Sequence, residues 1–176
     1  MTSTQPTDES LYAAYHKGDK AAFDGLYARY RQPLYLFLLR RGHDEAAAED
    51  IFHDGWMKVV HQQQKFDGQH FRGWIYQVMR NLSIDSFRKR SLHSVETLNY
   101  VVSELTHPSA QQKHEGIDCL ELMKRSVAAL PMDQRDVFLL KEEAGLSLMQ
   151  IAELMTVGRE TIKSRIRYAM KQLKQM

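Results

Sequence analysis

The sequence has little cysteine, no long apolar run and no recognisable catalytic motif. Cys119 is the one cysteine, which excludes an internal disulfide framework and favours a reducing cytoplasm. Residues 1–9 lack a basic start and an apolar core, so we expect no signal peptide. The longest apolar run, residues 33–39, is far too short to cross a bilayer. No nucleophile–base pair, phosphate-binding glycine loop or metal-ligand spacing is visible, so neither an enzyme nor a cofactor is expected.

Charge is unevenly distributed along a chain of 176 residues whose formal net charge is only +2. Residues 42–60 contain five acidic residues and one base. Residues 156–176 contain six basic residues and one acid. This segregation predicts that the two parts of the protein face different partners.

Apolar residues recur at intervals of three and four along most of the chain, which is the pattern of amphipathic helices. We therefore predict an all-α fold. After residue 90 the periodicity weakens, and the break at residues 106–109 is typical of a flexible linker between two small helical domains. The predicted units are a disordered tail at 1–8, a first domain at 9–90, a linker at 91–112 and a second domain at 113–176.

Four residues of the third predicted helix form a candidate binding face. Asp50, His53, Asp54 and Met57 follow one another at steps of three, one and three, which places them on one side of a helix. The face is acidic with an apolar tip, and a face of this kind is often simply solvated. A metal site is a further alternative because Asp and His side chains are metal ligands, but nothing else in the sequence supports it.

The segment from residue 71 to residue 90 combines positive charge with aromatic rings. It has five basic residues and one acid, with four interleaved aromatic residues, Phe71, Trp74, Tyr76 and Phe87. Cations beside exposed rings hold a nucleic-acid backbone and stack unpaired bases, and the preceding loop would shape a pocket for an extruded base. The alternative is an ordinary core helix with a basic end, in which Trp74 serves packing.

The last 30 residues show the sharpest pattern. A short apolar stripe around Ala152 is followed by a turn at residues 156–158 and then by a longer helix with an apolar stripe of its own. This arrangement is typical of a helix-turn-helix, in which small Ala152 lets the two helices approach. Opposite the second stripe lie basic residues spaced by four, which would face a DNA groove: Arg159, Lys163, Arg167 and Lys171. The alternative is a solvated helix in a small bundle.

Four motifs in this order resemble the sigma-70 superfamily of bacterial transcription initiation factors. They are Ala48-Glu49-Asp50-Ile51-Phe52-His53-Asp54; Phe71-Arg72-Gly73-Trp74-Ile75-Tyr76 with Asn81 and Asp85; Leu130-Pro131-Met132-Asp133-Gln134-Arg135-Asp136-Val137-Phe138; and Gly145-Leu146-Ser147 with Thr161-Ile162-Lys163-Ser164-Arg165-Ile166. The small size resembles the extracytoplasmic-function (ECF) group. One departure is His53-Asp54, where the family commonly has Gln-Glu.

The resemblance implies an alternative sigma factor with a sigma-two and a sigma-four domain, which binds core RNA polymerase and opens promoter DNA without catalysis of its own. Core polymerase would dock on Asp50, His53, Asp54 and Met57. The non-template single strand of the minus-ten element would contact Phe66, Phe71, Arg72, Trp74, Arg80, Asn81 and Arg88. The duplex minus-thirty-five element would contact Arg159, Thr161, Lys163, Ser164, Arg165, Arg167, Tyr168 and Lys171.

The resemblance also implies an anti-sigma factor, often membrane-bound, that would hold the cytoplasmic protein inactive at the inner membrane. The protein itself is not expected to insert into a membrane. A stand-alone helix-turn-helix regulator is the main alternative. It would explain residues 130–176 equally well, but it gives no reason for the acidic face or for the basic-aromatic segment.

Overall fold

The structure is a computed structural model that describes residues 5–61, 66, 68–98 and 125–175. All regular secondary structure in these ranges is helical, which confirms the predicted all-α class. The helices are α1 (Asp8–His16), α2 (Lys20–Arg41), α3 (Glu45–His61), α4 (Phe71–Leu98), α5 (Met132–Glu142), α6 (Leu148–Met155) and α7 (Arg159–Leu173). Residues 125–129, before α5, are also helical.

Local capping sets the ends of α2. The Asp19 side chain accepts a hydrogen bond from the backbone N–H of Ala21, which would otherwise have no partner in the first turn. Gly42 ends the helix in the left-handed conformation, with φ of 105°, a backbone geometry that glycine adopts without a steric penalty. Pro33 lies inside the helix, which continues past it to Arg41.

Helices α1 to α4 form the N-terminal domain around one apolar core. The apolar faces of α2 and α4 supply fully buried residues such as Phe37 and Ile75. Helices α3 and α4 approach each other closely at Gly55, where an added Cβ would lie 2.4 Å from Met79 Cε. Glycine at this position therefore lets the two helices pack against each other.

Polar contacts join helix α1 to the middle of α2 and to the start of α4. The Glu9 carboxylate accepts a hydrogen bond of 3.0 Å from the backbone N–H of Phe71, at the first turn of α4. The Asp8 carboxylate bonds both Arg29 and the Tyr30 hydroxyl on α2. Because the first N–H groups of a helix lack partners within it, Glu9 satisfies a group that burial would otherwise leave unpaired.

Helices α5 to α7 form the C-terminal domain. Residues 136–140 of α5 are all buried, because the helix packs on its own domain and on α2. Helix α6 begins with a capping box, in which the Ser147 hydroxyl accepts from the Gln150 N–H and the Gln150 side chain accepts from the Ser147 N–H. Buried Ile151, Ala152 and Ile162 join α6 to α7.

Helix α4 is longer than the sequence pattern indicated. It runs to Leu98, so the first eight residues of the predicted linker are helical. No proline or glycine lies between residues 91 and 98, and nothing there breaks the helix that precedes them. The rest of the predicted linker, and the start of the following domain with Cys119, lie outside the described residues.

A buried histidine joins the α2–α3 connection to α4. His43 is 5% exposed, its ring stacks on Phe87 with centroids 4.0 Å apart, and its nitrogens contact Ser83 Oγ and the Arg90 guanidinium. Burial, followed by the charges of Arg90 and Arg41, lowers the pKa of His43 from 6.5 to about 4, while nearby Asp44 acts in the opposite direction. The folded state therefore favours the neutral ring.

We expect the N-terminal domain to lose stability as the pH falls from 6.5 towards 4, because the unfolded chain binds a proton at His43 that the folded chain excludes. Between pH 7 and pH 5 the loss from this group is on the order of 2 kcal/mol. Urea unfolding of the wild type and of His43→Gln at both pH values checks this. The wild type is expected to lose more stability than the variant, and equal losses would contradict the assignment.

Candidate functional surfaces

The structure brings the four predicted residues of the acidic face together on the outside of α3. Asp50, His53 and Asp54 are exposed, and Met57 is 40% exposed. The opposite side of α3 is buried against the core through Ile51 and neighbouring residues. Within the part of the chain that the structure describes, neither Asp50 nor Asp54 forms an ion pair. The two carboxylates are thus available to a basic partner.

The predicted residues of α4 do not form one surface. Arg72, Asn81 and Arg88 are exposed. Ile84 lies between Asn81 and Arg88 on the same side of the helix and is 38% exposed. The sequence analysis did not single out this apolar residue. Ile84 follows Asn81 by three residues and precedes Arg88 by four, and this spacing indicates that the three side chains share one face of the helix.

The prediction of exposed aromatic rings on this segment is wrong for two of its members. Phe71 and Tyr76 are 0% and 2% exposed, so neither ring is accessible to a nucleic acid. Phe71 packs against Tyr12 and Tyr30 because the start of α4 lies beneath α1, where Glu9 holds it. Phe66 and Trp74 are partly buried and pack on the same cluster of rings.

Arg80, predicted to contact the minus-ten strand, is instead held by the C-terminal domain. Its side chain is 14% exposed, and its Nε donates a 2.8 Å hydrogen bond to the Asp136 carboxylate on α5. The exposed Arg72 also reaches this domain, with its guanidinium 3.5 Å from the Ala144 carbonyl oxygen. A predicted nucleic-acid surface therefore faces another part of the same chain.

Asp136 lies at the centre of a buried cluster of charges that the sequence reading missed. Arg41 of α2 is 0% exposed, with its Nε and a terminal nitrogen 2.9 Å and 3.1 Å from the two carboxylate oxygens. Burial lowers the pKa of Arg41 to about 10, and Asp136 acts in the opposite direction. Arg135 donates a 2.8 Å hydrogen bond to the Arg41 carbonyl oxygen. The sequence signal was an acid directly before four buried apolar residues on α5.

A groove of about 280 Å³ continues this contact between the domains. One wall comes from the start of α4 and the loop before it, including His70, Trp74 and Gln77. The other wall comes from α6, through Gln150, Glu153 and Leu154. The side of α4 that holds Trp74 and Gln77 therefore faces the helix-turn-helix.

The helix-turn-helix is formed as predicted. Thr156 ends α6 in the left-handed conformation with φ of 56°, and α7 begins directly after Gly158. Six of the eight predicted contact residues of α7 are exposed: Arg159, Thr161, Lys163, Arg167, Tyr168 and Lys171. The Ser164 hydroxyl donates to the Glu160 carbonyl oxygen at 3.0 Å, while Arg165 lies 2.5 Å from the Asp133 carboxylate. These last two residues are therefore partly engaged within the domain.

The described ranges contain neither a metal-ion cluster nor a membrane-spanning helix. No group of three or more His, Cys, Asp and Glu side chains there is arranged to hold a metal ion, the acidic face of α3 included. None of the helices in those ranges has the length and apolar character that a bilayer crossing requires.

Comparison with known proteins matches each domain separately. The family model for Sigma-70 region 2 matches residues 26–93, and the model for Sigma-70, region 4 matches residues 127–175. The sequence is 24% identical to the RNA polymerase sigma factor SigZ of Bacillus subtilis over 87% of this chain and 85% of that protein. It is 26% identical to the ECF RNA polymerase sigma-E factor of Salmonella typhimurium over 93% of this chain and 91% of that protein.

A solved structure supports the same relationship. The sigma factor RpoE of Bartonella quintana, solved in complex with the anti-sigma factor NepR, matches with a TM-score of 0.71 at 25% identity. The match covers 87% of this chain and 94% of that one. The likeness therefore extends across both helical domains.

Region 2 and region 4 in this order define a class of two-domain transcription initiation proteins, and the chain belongs to the sigma-70 family. Within that family it is an alternative sigma factor of the ECF group, which directs RNA polymerase to promoters. Proteins of this family are regulatory rather than enzymatic. The alternative of a stand-alone regulator does not account for the region 2 match.

Proposed function

We propose that three surfaces of the protein divide the work of transcription initiation. The acidic face of α3 docks on core RNA polymerase, the exposed side of α4 holds the separated strand of the minus-ten element, and α7 reads the minus-thirty-five duplex. The observation that carries this proposal is the pair of exposed, oppositely charged faces on α3 and α7, one on each domain.

The chemistry of each face suits its proposed partner. Carboxylates at Asp50 and Asp54 complement a basic helical surface, and the exposed Met57 adds an adaptable apolar contact. Helix α7 presents cations in a row along a helix that fits the major groove, which serves both phosphate and base contacts. On α4, exposed Arg72, Asn81 and Arg88 suit a phosphate backbone, but the minus-ten role of buried Phe71 is limited to positioning the helix.

An anti-sigma factor is also part of the proposal. The solved relative from Bartonella quintana is bound to the anti-sigma factor NepR. A partner of this kind would cover the same surfaces and, if anchored in a membrane, would hold the protein at the inner face of that membrane. Helix α7 then sets which promoters are recognised. The partner sets which signal releases the protein.

Run-off transcription tests the proposed function directly. Purified bacterial core RNA polymerase is incubated with a fragment library of host DNA, with and without the protein. We expect new discrete start sites that share upstream elements near minus ten and minus thirty-five. Duplex DNA binding by the protein alone, without new transcripts, would instead favour a stand-alone regulator.

Reversal of charge on the acidic face is expected to weaken polymerase binding. In Asp50→Lys/Asp54→Lys two lysine cations replace the carboxylates and would repel a basic docking surface, so we expect affinity for core polymerase to fall by at least tenfold, about 1.4 kcal/mol. Both side chains are exposed, so the fold is expected to persist. Asp24→Lys/Glu142→Lys, which changes the same charge at other exposed positions, is the control. Equal binding by the two double variants would contradict the assignment.

Loss of single cations on α7 is expected to weaken binding to the minus-thirty-five duplex. Lys163→Ala and Arg167→Ala are each expected to cost about 1–3 kcal/mol and to reduce the dependence of the logarithm of affinity on the logarithm of salt concentration by about one. Fluorescence anisotropy with the duplex found by run-off measures both quantities. Lys20→Ala, an exposed lysine of the other domain, is expected to leave both unchanged. Unaltered affinity and polymerase binding in both α7 variants would refute the role of this face.

A further inference from the structure

The two domains contact each other through charged groups as well as through apolar packing, since buried apolar residues of both belong to one connected cluster. Arg41 and Arg80 of the N-terminal domain hold the carboxylate of Asp136, as described above. Arg40 at the end of α2 forms a further ion pair with Glu143, just after α5. These residues, Arg40, Arg41, Arg80, Asp136 and Glu143, form what we term the interdomain latch.

We propose that the interdomain latch holds the free protein in a closed, self-inhibited form, in which the Asp136 carboxylate occupies the cations that would otherwise bind a phosphate of the minus-ten strand. A carboxylate and a phosphate oxygen both accept charge-assisted hydrogen bonds from a guanidinium. Asp136 is therefore an internal competitor for Arg80. This inference rests on the proposed role of α4 in holding the separated strand.

The closed form covers part of the strand-binding surface proposed on α4, while Arg72, Asn81 and Arg88 stay exposed, and it leaves the other two functional surfaces free. Arg80 is 14% exposed, and α6 stands across the groove from Trp74 and Gln77, on the strand-binding side of α4. The acidic face of α3 and the basic face of α7 remain exposed. The latch therefore inhibits strand capture specifically, while polymerase docking on α3 stays open.

Arg41 and Arg80, the cations that bind Asp136, are linked by a contact within the N-terminal domain. Arg41 donates a hydrogen bond of 3.1 Å to the Arg80 carbonyl oxygen, and both arginines belong to this domain. The Asp136 carboxylate thus enters a site whose cations are already arranged. When it leaves, the same two guanidinium groups are presented to any other anion of suitable geometry.

The ion pair between Arg41 and Asp136 can be released because its burial has a desolvation cost. Closing the interface removes Arg41 and Asp136 from water, and the cost of that desolvation offsets much of their mutual attraction. When the domains separate, both charges regain their hydration. A competing anion or a partner that binds each domain in a separated arrangement shifts the balance by its difference in affinity for the two forms.

Charge-reversal variants of the partly exposed Arg40–Glu143 pair test the latch without altering the buried core. Glu143→Arg places two cations together and is expected to open the protein. Small-angle X-ray scattering of the full chain is expected to show a larger radius of gyration. Anisotropy with a single-stranded oligonucleotide of the non-template minus-ten sequence, read from the run-off products, is expected to show about tenfold tighter binding, as for a closed form that is roughly 90% populated.

Two controls separate the latch from a general effect of charge. Arg40→Glu/Glu143→Arg restores the ion pair with its partners exchanged and keeps the net charge of the wild type, so compactness and weak strand binding are expected to return. Glu142→Arg makes the same charge change at the neighbouring exposed position, and it is expected to remain closed. Asp136→Asn, checked for helicity by circular dichroism, is expected to behave like Glu143→Arg.

The outcomes distinguish failure of this inference from failure of the proposed function. A wild-type radius of gyration and the same strand affinity in Glu143→Arg and Glu142→Arg would overturn the latch. An open Glu143→Arg variant without tighter strand binding would overturn self-inhibition. The absence of start sites with wild-type protein in run-off transcription would overturn the proposed function, while the scattering result would still report on the closed form.

Discussion

The relation between the two domains depends on the burial of one carboxylate among arginine side chains. Asp136 is 0% exposed and contacts both Arg41 and Arg80, which come from different helices of the other domain. A buried carboxylate without cationic partners would lower the stability of the folded state, so Asp136 has to keep both arginines in place. It therefore fixes the position of α5 against α2 and α4, and this position decides which parts of α4 meet solvent.

The sequence was a good guide wherever structure is decided locally. Asp19 and Gly42 mark the ends of α2, and the faces of α3 and α7 follow from their apolar stripes, because a helix that buries one side leaves the other outside. Helix α4 is different because it packs on its own domain and on α6 as well. No periodicity along one helix contains that information.

The same difference explains the errors at individual residues. Phe71 looked like a ring beside cations, but its depth is set by α1, whose sequence lies about sixty residues earlier. The sequence analysis gave Asp136 no role of its own, because its partners lie 95 and 56 residues away. Contacts at such separations are specified by tertiary packing, which overrides the local preference of a side chain.

The hydrogen bond from the Phe71 N–H to the Glu9 carboxylate joins the first helix of the N-terminal domain to the start of the last. Helix α1 carries no proposed contact with polymerase or DNA, yet its carboxylate completes the first turn of the helix proposed to hold the separated strand. Deletion of α1, or a rigid fusion that displaces it, would fray α4 at Phe71. The N-terminal helix would thus support the proposed strand-binding helix without a contact of its own, and affinity tags are better placed after α7.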